Sequence, residues 1–277
     1  MLTLLLILAC VQGPERHDPG WRPRDHSGTP GDSDVDTDSD VDTDTDADAD
    51  ADADTDADTD GCPGAMELIQ GSVCIDRFEA HLEQRSGGSW VARSPYDTIA
   101  SGEDLRAAVS QGAVPQAYIS GDEAEDACQR AGKRLCTSDE WLAACQGPLG
   151  QTYPYGDSYV SGACNDDYPG SHPLVDYFGT SEGIWDSAHM NDPGINQQPG
   201  TVAPGGSYTA CVSAWGVFDL HGNLHEWVAD SDGTFRGGFY ADASINGTGC
   251  LYVTTAHARS YHDYSTGFRC CVAPEGR

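Results

Sequence analysis

Residues 216–227 read GVFDLHGNLHEW, and what this stretch does decides the fold around it. Asp219 and Glu226 bring two hard anionic oxygens within eight positions of one another, and Gly222-Asn223 between them permits a sharp turn that aims backbone carbonyls inward. Two readings follow: a loop wrapped round a calcium ion, or a hydrogen-bonded turn in which Glu226 pairs with an arginine. His221 and His225 stand four apart beside Glu226, as in a zinc H-x-x-x-H pair. That pairing needs a helix to put both imidazoles on one face, and Gly222-Asn223 opposes a helix, so both are read as loop residues.

Outward from this stretch, two capping boxes mark helices. Ser120 and Glu123 open SGDEAEDACQRAGK, in which Ala124, Ala127, Cys128 and Ala131 share a face and Gly132 ends the turn. Thr137 and Glu140 open TSDEWLAACQG, with Trp141, Leu142 and Cys145 on its apolar face and Gly147 as its stop. After Gly147 the chain is rich in Gly, Pro, Asn, Asp and aromatics, with short strand-like runs such as WGVFDL and TGFRCCV. The pattern predicts an α+β domain with few short helices, short antiparallel strands and long structured loops.

The 277 residues carry 14 Lys plus Arg against 45 Asp plus Glu, a formal net charge of −31. Such a chain repels nucleic acid and anionic membrane surfaces, so neither is an expected partner. Much of the charge lies in residues 32–60, where aspartate occupies every second position between small residues. As a strand this would stack like charges on one face and bury little on the other. A disordered, self-repelling tether over residues 11–61 is the reading preferred to a calcium-sequestering repeat, which would need glycine turns to fold round the ion. Ahead of it MLTLLLILAC has an apolar run too short to span a bilayer but suited to a signal peptide. Its last four residues resemble a bacterial lipobox, although no Lys or Arg precedes the run. Cys10 is the expected lipidation site and residues 1–10 the leader, with a plain secretory peptide as the alternative. Either way the chain is exported, to a bacterial cell envelope or surface, touching a membrane only through the lipid.

There are 11 cysteines and no C-x-x-C pair. Setting Cys10 aside leaves an even set, Cys62, Cys74, Cys128, Cys136, Cys145, Cys164, Cys211, Cys250, Cys270 and Cys271, which suits a disulfide-stapled domain over residues 62–277. Cys270 and Cys271 are adjacent on an expected strand. Their side chains point to opposite faces, so each needs its own partner.

Several tracts occur in order: GAMELIQGSVCIDRFEA, ACQRAGKRLCTSDEW, YPYGD, GVFDLHGNLHEW, FRGGF and TGFRCC. This succession resembles the formylglycine-generating-enzyme family, the sulfatase-modifying-factor domain, over essentially all of residues 62–277, and its cysteine content resembles an exported, disulfide-rich bacterial branch. The resemblance implies a C-type-lectin-like α+β fold with bound calcium. Asp219, Gly222, Leu224 and Glu226 match the family's calcium-binding positions, and Asn165 in ACNDDYPG is the candidate ligand of a second site. The resemblance pairs Cys128 with Cys270. Cys136–Cys271, Cys145–Cys250, Cys164–Cys211 and Cys62–Cys74 complete one scheme that leaves no free thiol.

Members that make formylglycine carry two cysteines after R-G-G, four and nine residues past its second glycine; here those positions are Asp242 and Gly247. Copper(I) is soft and seeks sulfur, so neither residue replaces a thiolate, and copper or iron is not an expected cofactor. Cys250 offers one thiol at most, and a disulfide would silence it. The leading reading is a tethered, calcium-stabilised module that binds a glycan or protein through the old catalytic face, which is rich in aromatics. The alternative is an iron- or copper-dependent oxidase with altered ligands, drawing on Asp242, His257 and His262 as a pocket. A structural lipoprotein without a small ligand is the third reading.

Overall fold

In the computed structural model, residues 61–275 are described. The leader with Cys10 and nearly all of the aspartate tract lie outside them. The described chain begins with a hairpin, β1 (Met66–Ile69) and β2 (Val73–Asp76), then a three-stranded meander of β3 (His81–Ser86), β4 (Ser89–Ala92) and β5 (Leu105–Ala108). Helix α1 (Gly121–Arg130), the short β6 (Arg134–Leu135) and α2 (Ser138–Gln146) follow. Beyond them come α3 (Pro173–Phe178), α4 (Ser187–Met190), β7 (His225–Trp227), β8 (Phe235–Arg236), β9 (Val253–Thr254), β10 (Thr266–Phe268) and β11 (Cys270–Val272). The strands form sheets in the orders β1-β2-β11-β6, β10-β7-β8-β9 and β4-β3-β5.

Both capping boxes are made. Ser120 Oγ accepts from Glu123 N while the Glu123 carboxylate accepts from Ser120 N, and Thr137 and Glu140 repeat the exchange. Each box satisfies two N–H groups that a helix start leaves without partners. Gly132 and Gly147 then leave the helices with φ of +75° and +63°. Helix α1 buries Ala124, Ala127 and Cys128; α2 buries Trp141, Ala144 and Cys145, with Leu142 only partly covered.

The adjacent cysteines divide the core. Cys270 bridges to Cys128 in the cluster that holds Leu82, Ile119, Trp227 and Phe268. Cys271 bridges to Cys136 in the cluster that holds Ile75, Trp141, Val217 and Val228. Cys62–Cys74, Cys145–Cys250 and Cys164–Cys211 complete five bridges, the pairs of the scheme set out above. A single β-strand dipeptide thus ties α1 and the link between β6 and α2 to the first sheet, because its side chains leave opposite faces.

The strands differ from expectation in three places. β10 pairs with β7 in parallel, not antiparallel, which the long excursion between them permits. WGVFDL is not a strand: it makes one isolated bridge, Val212 with Phe218, and Asp219 breaks the extension with φ +60°. TGFRCCV is two strands interrupted at Arg269, whose side chain turns into the core. Two helices also stand in the region read as loop, α3 capped by His172 and ended by Gly179 in the left-handed region, and α4 capped by Asp186.

Candidate functional site

The turn after Val217 follows a path only special residues take, with Asp219, Gly222 and Asn223 at φ +60°, +79° and +57°. At Gly222 a Cβ would lie 2.1 Å from the Asn165 carbonyl oxygen, so the close approach requires glycine. The payoff is a knot of buried charge. Glu226 accepts from Arg269 Nε and Nη2 at 2.6 and 2.7 Å and from Trp141 Nε1 at 2.8 Å. Arg269 also donates to the carbonyls of Asp76 and Phe218, at 3.0 and 2.9 Å. The arginine partner weighed for Glu226 in the sequence is therefore Arg269.

Asp219 accepts from Gly206 N at 2.7 Å. Glu79, which the sequence did not single out, accepts from Leu224 N at 3.0 Å and from the Asn223 amide. Asn165 Nδ2 donates to the Asn223 side-chain oxygen at 2.8 Å, and its carbonyl accepts from Asn223 N at 2.7 Å. The two motifs given calcium roles by resemblance thus meet at one turn. Burial, then Glu226 and Asp219, raises the Glu79 carboxyl well above its ordinary range, and burial pushes Asp219 up to about 6. Three buried carboxyl groups face one guanidinium, and their oxygens are hard, the chemistry that calcium takes and a soft metal does not.

The second locus is the R-G-G rim. Arg236 Nε donates to Ser138 Oγ at 2.7 Å, and Gly237 and Gly238 turn the chain with φ of +86° and +74°. Phe239 and Asp242 close a tight loop with reciprocal backbone bonds of 2.8 and 3.0 Å. Asp242 is fully engaged: Oδ1 accepts from Ser244 N and Ile245 N at 3.0 Å each, and Oδ2 accepts from the Tyr252 hydroxyl at 3.2 Å. Tyr252 lies 3.1 Å from His225 Nε2, and His225 Nδ1 lies 3.2 Å from Ser265 Oγ. Ser265 Oγ in turn donates to Asp263 at 2.7 Å. Gly247 has φ +140°, and a Cβ there would sit 2.5 Å from the Leu251 carbonyl oxygen. Cys250 is in its bridge to Cys145.

His225 is thus a buried strand residue of β7, not a loop residue; burial, then His257, pushes it down to about 3. His221 stays in the loop, 3.1 Å from Asp166, so the two histidines have separate partners. Asp242, His257 and His262 have separate partners too. His257 stacks between Phe235 and Tyr261, with centroids 5.6 and 3.9 Å away, while His262 Nδ1 lies 2.7 Å from Asn191 Oδ1. Among the described residues no group of three His, Cys, Asp or Glu side chains is arranged to hold a metal ion by itself. Besides Glu79, the sequence reading missed Arg269 as a site residue. The RFEA and GFRC motifs held these two signals, but their partners lie far along the chain.

A disulfide-stapled α+β domain with a glycine turn over buried carboxylates, and an R-G-G rim, defines a class of protein. The chain belongs to the family described as the sulfatase-modifying factor enzyme 1-like domain, whose model matches residues 65–273. It is 30% identical over 167 residues to the cattle (Bos taurus) protein named inactive C-alpha-formylglycine-generating enzyme 2, covering 56% of this chain and 49% of that one. The mouse (Mus musculus) protein of the same name is 31% identical over 119 residues, 43% of this chain and 32% of that one. The chain thus spans about half or less of the length of these curated relatives. Among solved structures, the Major Tropism Determinant U1 variant aligns with a TM-score of 0.42 at 14% identity, over 76% of this chain and 53% of that one. Treponema denticola variable protein 1 aligns at 0.31 and 15%, over 71% and 63%. Likenesses that distant bear on neither partner nor activity.

Proposed function

We propose that this chain is a non-catalytic member of its family: an exported, calcium-stabilised binding module, held to a bacterial surface by a lipid on Cys10 and the aspartate-rich tether. The observation that carries the loss of catalysis is the state of the rim. The carboxylate at the first thiol position is spent on three donors that hold the loop's own shape. At the second position the backbone leaves no room for any side chain. A copper(I) centre needs sulfur ligands, and Cys250, the nearest cysteine, is in a disulfide. Relatives named inactive support the same reading.

Calcium is proposed from the buried knot. Asp219 and Glu226 would hold it together with backbone carbonyls at Gly222 and Leu224 and with Asn165, and the ion would supply positive charge beside Glu79 that Arg269 alone does not. Asn223 keeps the turn closed by bonding Glu79, Asn165 and Ala203 at once. Five disulfides suit an oxidising compartment. The ligand, a glycan or protein, would meet the outer surface of the rim, because Phe239 and Tyr264 are themselves packed into the core. Metal analysis of purified protein tests the reading: calcium without copper or iron is expected, and redox metal at unit stoichiometry would overturn it.

A further inference from the structure

No lysine or arginine occurs between Arg134 and Arg236, while aspartates and glutamates recur throughout that stretch. Glu140 and Glu226 draw on arginines outside it, Arg134 and Arg269. Within it three tyrosines gather on one turn. Tyr153 and Tyr155 stack with centroids 5.4 Å apart, and Tyr159 leans on Tyr153 at 5.9 Å and 55°. The turn is closed by Tyr153 with Gly156, by Thr152 N donating to Asp157, and by Val160 N donating to the Tyr155 hydroxyl. It sits beside the rim, since Cys250 N donates to the Thr152 carbonyl at 2.8 Å.

Asp166 adjoins these rings. Its side chain is 4% exposed; Oδ2 lies 3.1 Å from His221 Nε2, and Oδ1 has no partner. Burial, and after it Asp166, raises the phenols of both Tyr155 and Tyr159, as a carboxylate close to the rings should. His221 meets Tyr153 edge-on at 5.3 Å, so the pair and the ring cluster form one packed unit.

A buried carboxylate oxygen without a donor is unfavourable and calls for a positive partner. Tyrosine faces attract cations by their quadrupole. Both features ask for the same ligand, and the sequence around them supplies no cation. We propose that Tyr153, Tyr155, Tyr159 and Asp166 form a site for an alkylammonium, the lysine side chain of a basic segment on a partner protein. One free oxygen suits a compact point charge and not the two-pronged guanidinium. A divalent ion would want more hard oxygens than one carboxylate and three rings offer. Access to Oδ1 would come by rotation of Tyr159, which is 49% exposed and whose hydroxyl bonds Asp166, so the ammonium would take the place of that hydroxyl. The site does not depend on whether the rim is catalytic.

The test is calorimetric titration of the full chain, with calcium present and at low salt, using acetyl-Gly-Lys-Lys-Lys-Gly-amide. Its fully Nε-acetylated counterpart and its arginine analogue serve as comparisons. The lysine peptide binds, the acetylated one binds at least about tenfold more weakly, and the arginine peptide falls between them. Tyr159→Leu lowers lysine-peptide affinity about two- to fivefold in protein that still melts cooperatively, as loss of an exposed cation–π contact should. Asp166→Asn does the same wherever it folds. Absence of binding overturns the proposal. So does equal binding of the acetylated peptide, or unchanged affinity in Tyr159→Leu, which would mean diffuse attraction to an acidic chain.

Discussion

Replacing Arg269 with methionine removes the one guanidinium from the buried knot. Its side chain is 0% exposed and that of Glu226 1%, so neither charge has water to fall back on. The substitution strands Glu226 beside Glu79 and Asp219 and leaves the carbonyls of Asp76 and Phe218 short of donors. Breaking a buried pair from one side costs about 3–5 kcal/mol, chiefly because the remaining charge stays desolvated. At about 2–4 °C per kcal/mol for a domain of this size, the melting temperature should fall by roughly 6–20 °C. Denaturant unfolding under non-reducing conditions measures the loss, with Glu226→Met and the double variant completing a cycle. Because the two groups touch, the double variant should lose less than the sum by about 0.5–3 kcal/mol. A loss below about 1 kcal/mol in Arg269→Met, or strict additivity in the cycle, would refute the buried pair as the centre of the knot.

The remaining predictions concern the cap, the rim and the bridges. Burial holds the His172 imidazole below its ordinary pKa, Asp176 opposing only in part, and Nδ1 accepts from Leu174 N at 3.3 Å. The unfolded chain therefore binds the proton more readily, so this contribution is present above pH ~6.5 and lost as pH falls from there through the lowered folded value. The stability gap between wild type and His172→Asn, which keeps a cap but cannot titrate, should shrink on going from pH 7.5 to pH 5. Gly247→Ala should lose about 1–3 kcal/mol in denaturant melts, since any Cβ meets the Leu251 carbonyl. Asp242→Ala should lose less, about 0.5–1.5 kcal/mol, because two of the three donors it frees are exposed to water, read by the same melts. Opening Cys145–Cys250 by Cys→Ser at both positions should cost about 4–5 kcal/mol, because the bridge closes a separation of 105 residues. Unmodified protein denatured without reductant should show no reactive thiol among Cys62 to Cys271.

What could be read from the chain was local. Ser120 with Glu123 and Thr137 with Glu140 announce their helices within four residues, and both helices stand where those boxes put them. The Cys270-Cys271 pair forced separate partners from strand geometry alone. The caps of α3 and α4 were harder: His172 is an uncommon N-cap, and both helices are under two turns, too short for an apolar period to show. Glu79 was invisible because Asn223 and Leu224, which it bonds, lie 144 and 145 residues away. Arg269 looked like a strand residue in TGFRCCV, and only the fold shows that the strand breaks there to send its side chain to Glu226. The rim was half legible. Absent thiols can be counted, whereas the bonds that occupy Asp242 and the carbonyl that excludes a side chain at Gly247 are matters of packing.

The claim that the old catalytic rim is a structural loop is tested most directly by copper. The protein in calcium-containing buffer, given one equivalent of copper(I) and then a competing chelator, should retain none, and in air should leave a cysteine-bearing sulfatase peptide unconverted by mass spectrometry. Retention of one copper per chain together with conversion of that cysteine to formylglycine would contradict the account.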